Sequence, residues 1–73
     1  MRMLPLSMAD LGEAHTIFKI TGKDEVRRHL AELGLVVGEE IVVVNSLGGN
    51  LILQVKDSRI ALDRGLANRI MLA

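Results

Sequence analysis

Between Arg27 and Val44 the chain reads RRHLAELGLVVGEEIVVV: a helical pattern stops at Leu33-Gly34-Leu35 and gives way at once to a β-branched run. Val26, Leu30 and Leu33 fall at i, i+4 and i+7, one apolar stripe, with Arg27, Arg28 and Glu32 lying away from it. Ile41 to Val44 are consecutive β-branched residues, which disfavour a helix and suit a strand with apolar surroundings on both faces. Gly34 can take the left-handed conformation that ends a helix, so Leu35 is expected to fold back on Leu30 in a Schellman-type contact. Val36-Val37-Gly38-Glu39 then reads as a tight turn with glycine where a type II turn needs positive φ. Two glycines therefore make the chain double back and lay its amphipathic helix over a sheet.

The helix is expected over about residues 23–33. Thr21 with Asp24 three residues later resembles a capping box, and Asp24 itself is the alternative cap. Upstream, GEAHTIFKIT alternates at Ala14, Thr16, Phe18 and Ile20, with Ile17 on the other face, as a strand does. Downstream, Gly48-Gly49-Asn50 reads as a hairpin turn between strands at residues 42–47 and 51–56, and Asp57-Ser58 as a second tight turn before RIALD. Ile52 or Leu51, with Val55, Ile60 and Leu62, are expected to point inward. A short helical turn near 64–68 and a last strand in RIMLA complete the pattern. Five to six short strands with one inserted helix suggest a mainly β, highly curved small barrel, in which closure removes the sheet edges.

Seventy-three residues suffice for one small domain with one core, so residues 1–73 are read as a single unit. The absence of cysteine leaves stability to packing and fits a reducing compartment, the cytoplasm. Pro5, Ser7, Asp10 and Gly12 interrupt the N-terminal segment before the apolar core of a secretion signal could form, and the apolar runs are too short to span a bilayer. Nine basic residues balance nine acidic ones, which removes the electrostatic footprint of phosphate-backbone binding, so nucleic acid is not expected as a partner. Phe18 is the lone aromatic, so neither a base-stacking platform nor an aromatic groove for proline-rich peptides is available. Met1, Met3, Met8 and Met71 are scattered and read as gap-fillers or frayed ends.

The residue types that carry chemistry are present but not arranged for it. His15 has Glu13 on the same strand face and His29 has Arg28 beside it, without the paired spacing of a metal site; both read as structural or solvated, and no metal or cofactor is expected. Ser7, Ser46 and Ser58 lie in no nucleophile elbow, and the glycines form no phosphate-binding motif, so the chain is not read as an enzyme. Interaction is the remaining class. Arg27 and Arg28, with Lys23 one turn earlier, make a basic spot able to meet an acidic partner surface. The apolar centre such an interface needs would come from Leu33, Leu35, Val36 and Val37 around Gly34 and Gly38, although Leu33 and Leu35 also suit the core.

The order of these pieces is itself informative. Leu-Pro-Leu followed by Asp-Leu-Gly, then RRHLAELGLVVG, a β-rich run, Leu-Gly-Gly, Arg-Ile-Ala-Leu and Ala-Asn-Arg-Ile resembles the FeoA family of ferrous iron transport proteins, from Leu4 to Leu72. The resemblance implies an SH3-like barrel with the helix inserted after the second strand. It also implies a cytoplasmic accessory protein that assists FeoB, the GTPase-linked membrane transporter of ferrous iron. The alternative is an SH3-like accessory domain of the kind found in iron-dependent transcriptional repressors, engaging its own chain or a sister subunit. One departure is visible: the family often has proline just before the turn glycine, where this chain has Val37, which leaves the loop less rigid.

Overall fold

In the computed structural model, which describes residues 3–73, the elements follow the sequence pattern closely. They are β1 (Leu4–Pro5), a 3-10 turn (Leu6–Met8), β2 (Ala14–Ile20), α1 (Asp24–Glu32), β3 (Glu40–Leu47), β4 (Asn50–Val55), β5 (Ser58–Asp63), α2 (Arg64–Ala67) and β6 (Ile70–Leu72). The expected gap-filling by Met1 lies outside the described residues, while Met3 and Met8 are exposed.

The β-branched run lies inside β3, where Ile41 and Val43 are buried and Val42 and Val44 half-buried, so both faces are covered. β3 pairs antiparallel with β4 across the two-residue Gly48-Gly49 loop, and β4 with β5 across Lys56-Asp57. The second turn thus falls one residue earlier than the expected Asp57-Ser58, because Val55 pairs with Ser58 and Lys56 takes the positive φ of 52°. All strand pairs are antiparallel, in the order β1-β6-β2-β3-β4-β5.

Ile17, Leu30, Leu35, Ile41, Val43, Leu53, Leu62, Ile70 and Leu72 are essentially sealed from water, and no polar side chain is buried among the described residues. A core of this kind is held by dispersion and the hydrophobic effect alone. Along β4 the inward set is Leu51, Leu53 and Val55, which decides between Leu51 and Ile52 in favour of Leu51.

Three expectations need correction. The hydrogen-bonded ladder is not closed: β1 and β5 are its edges. β1 is only two residues long and pairs with β6, and the chain turns into α2 directly after Asp63. The 3-10 turn and α2 bridge the opening, touching each other as well as β6 and β5 respectively. Ser7 Oγ donates to Asn68 Oδ1, and Arg64 Nη2 donates to Ser46 Oγ at 3.1 Å, fixing that bridge.

The alternation expected of β2 holds as far as Phe18 and breaks at Ile20. Ile17 is buried, while Ala14, Thr16 and Phe18 are exposed. A bulge between Ile17 and Lys19, where β2 meets β6, inserts Phe18 as an extra residue and so returns Ile20 to the half-buried side. Finally, Thr21 does not cap α1. The N-cap is Lys23, without a side-chain bond, and Asp24 is the first helical residue. Thr21 instead donates both its amide, at 2.7 Å, and its hydroxyl, at 3.3 Å, to the carbonyl of Arg69.

Candidate functional site

Gly34 and Gly38 set the geometry of the surface that the sequence singles out. At the end of α1 the Gly34 amide donates to the Ala31 carbonyl and the Leu35 amide to the Leu30 carbonyl, both at 2.9 Å, with Gly34 at φ +90°. These are the two bonds of a Schellman motif, and they satisfy carbonyls that a helix end otherwise leaves open. Glu39 then donates to the Val36 carbonyl at 3.1 Å with Gly38 at φ +94°, the turn with a positive-φ third residue that the spacing predicts.

That turn is tied to β2. Gly38 donates to the Ile17 carbonyl at 2.8 Å and Ile17 to the Glu39 carbonyl at 2.9 Å. β3 therefore covers its side of β2 only as far as Ile17, because the chain leaves at Gly38; beyond it Lys19 and Ile20 pair with β6 alone. Where β3 would have continued there is an open groove of about 370 Å³, lined by Phe18, Lys19 and Ile20 of β2, Arg27 and Ala31 of α1, and Leu35, Val36 and Val37.

Its walls are apolar and accessible: Phe18 is 44% exposed, Val36 42% and Val37 62%, while Leu35, itself buried, closes the floor. Isolated exposed apolar residues are ordinary, but several converging on one concavity mark a binding surface. Its charges are of one sign. Lys19 and Arg27 are the ionisable lining residues, and Asp24, which pairs with Arg27 along the helix, stands outside the lining.

Of the residues proposed from sequence, Arg27, Leu35, Val36 and Val37 come together in the groove. Gly34 and Gly38 build its turns, Leu33 is half-buried against the core, and Arg28 is exposed but not part of the lining. Phe18, Lys19, Ile20 and Ala31 are additions that sequence reasoning missed. The available signal was Phe18, the lone aromatic of the chain.

The other candidate groups do not assemble. His15 Nε2 lies 3.5 Å from Glu13 Oε2 and makes no hydrogen bond, so the pair is a loose contact. No group of three or more histidine or acidic side chains able to hold a metal ion occurs among the described residues. Ser7 and Ser46 are engaged in the bridge between the sheet edges. No helix of the described residues is long and apolar enough to cross a membrane.

Comparison with known proteins agrees with the fold and extends it. The FeoA domain family matches residues 4–73. A protein of Methanocaldococcus jannaschii named for Fe(2+) transport, protein A, is 35% identical over 69 residues, covering 94% of this chain and 84% of its own. A crystal structure of an iron uptake regulatory protein, FeoA, superposes with a TM-score of 0.91 at 33% identity, covering 100% of this chain and 97% of its own. The FeoA of Stenotrophomonas maltophilia, crystallised with zinc and described as a procaryotic SH3 domain protein, superposes with a TM-score of 0.82 at 30% identity, covering 96% and 89%.

Proposed function

This chain belongs to the FeoA family of iron transport proteins and has its SH3-like fold, and from that premise we propose that it is a cytosolic regulator of ferrous iron uptake. It acts as a single unit, by docking on the FeoB-type, GTPase-linked membrane transporter through the end of α1 and the Gly34–Gly38 turn. It works by binding rather than by catalysis, and holds no cofactor of its own.

The observation that carries this reading is the groove: Phe18, Val36 and Val37 are exposed around one concavity, beside the exposed guanidinium of Arg27. A desolvated apolar centre supplies affinity and a charged rim supplies orientation and encounter rate, which is the division of labour found in protein interfaces. The match of residues 4–73 to the FeoA family, and the likeness to a relative named for Fe(2+) transport, support a transporter as the protein that fills it.

The test is co-purification of the full chain with the full-length transporter in detergent, with and without guanine nucleotide. The wild-type chain is expected to be retained, and the Arg27→Glu, Arg28→Glu double variant to be retained less while still folded. Equal retention of both would place the docking surface elsewhere.

A further inference from the structure

The groove left where β3 turns away from β2 also specifies what enters it. Resting on the docking reading above, we infer that its occupant is an extended apolar segment of the protein partner that carries carboxylates.

The apolar requirement follows from the walls. Phe18, Ile20, Ala31, Leu35, Val36 and Val37 offer no side-chain hydrogen-bonding group, so a polar occupant would lose its water without compensation. The carboxylate requirement follows from the charges. Lys19 and Arg27 stand on the β2 and α1 sides of the groove with no acidic residue in the lining, and Asp24 engages only one of them. An acidic segment gains both cations, whereas a basic one meets two like charges.

The extended shape follows from the backbone. Along Phe18–Ile20, β2 has β6 on one side and, past the Gly38 amide's bond to Ile17, no strand on the other. A chain entering there takes the place that β3 vacates, as in recognition by strand addition. Phe18, next to the inward Ile17, faces out toward that space, and the bulge there turns Lys19 outward as well and Ile20 inward, as bulges commonly re-aim side chains at functional sites.

The experiment titrates the intact, isotope-labelled chain with short capped peptides of alternating leucine–glutamate, leucine–lysine and serine–glutamate, reading backbone amide resonances. Leucine–glutamate is expected to shift Phe18, Lys19, Ile20, Val36 and Val37 saturably, and the other two to bind weaker by about tenfold or more. In the Lys19→Glu, Arg27→Glu variant, changed at exposed positions only, the preference should pass to leucine–lysine. Absence of a saturable shift at these residues, equal response to all three peptides, or concentration-dependent shifts without peptide, which would make a second copy the occupant, each overturns the inference. Retention of the transporter alongside a failed peptide response leaves the docking reading standing and removes this one; a groove-specific peptide response without retention does the reverse.

Discussion

The amide of Leu35 donates to the carbonyl of Leu30 at 2.9 Å across a left-handed Gly34, and both leucine side chains are fully buried. One hydrogen bond thus joins the end of the helix to the start of the segment that leads back to the sheet. The same reversal delivers Val36 and Val37 to the edge of the groove and ties Gly38 to β2. Cap, turn and groove are one construction, and changes at each part should have separable effects.

At Gly34 the cost of a side chain is conformational rather than steric. A Cβ there would meet only Val55 Cγ1, at 3.9 Å, but at φ +90° an L-residue is strained. Gly34→Ala is expected to lower stability by about 1–2 kcal/mol and Gly34→Val by more, since β-branching narrows the allowed backbone further. Urea unfolding with an unchanged m-value checks this, and Gly34→Asn should fall between glycine and alanine.

The two leucines of the α1 stripe should differ sharply. Leu30 is fully buried, so Leu30→Ala is expected to cost about 2–5 kcal/mol through lost burial and a residual cavity. Leu33 only packs against the core from a half-buried position, and its truncation should cost clearly less in the same denaturation assay.

Much of this was legible from the residues, and the exceptions share a cause. The helix end, the Gly38 turn and the strands after it rest on local chemistry: a glycine at positive φ, a β-branched run, a Gly-Gly loop. The return of Ile20 to the inner side of β2 depends on a bulge at Phe18 formed against β6, fifty residues away in sequence and invisible to a strict period of two. Thr21 turned from the expected cap to the Arg69 carbonyl for the same kind of reason, a partner that only the fold supplies. The groove inherits the pattern: its α1 and loop side, Arg27 and Leu35 to Val37, could be proposed from local sequence, and its β2 side could not.

Asp63 caps α2, its Oδ1 accepting the Leu66 amide at 2.8 Å. Asp63→Ala should lower stability by about 1 kcal/mol, whereas Asp63→Asn, which can accept the same bond, should cost only part of that. Thermal unfolding of the two variants side by side distinguishes loss of the cap from a general effect of altered charge.

Val37 occupies the second position of the Val36–Glu39 turn, where proline suits the backbone. Its amide makes none of the turn and loop hydrogen bonds of this region. Val37→Pro is therefore expected to raise stability by about 0.4–1 kcal/mol, mainly by restricting the unfolded chain. Val37→Asp, at a position 62% exposed, should leave stability within about 0.5 kcal/mol and weaken partner binding, seen as reduced retention on the transporter.

The most direct measurement is backbone hydrogen exchange of the full chain, free and bound to the full-length FeoB-type transporter. Docking through the groove predicts slowed exchange in segments covering Phe18–Ile20 and Val36–Gly38, with the β4–β5 hairpin unchanged. Protection confined to β5 or to the 3-10 turn, with Phe18–Ile20 exchanging as in the free chain, would contradict it.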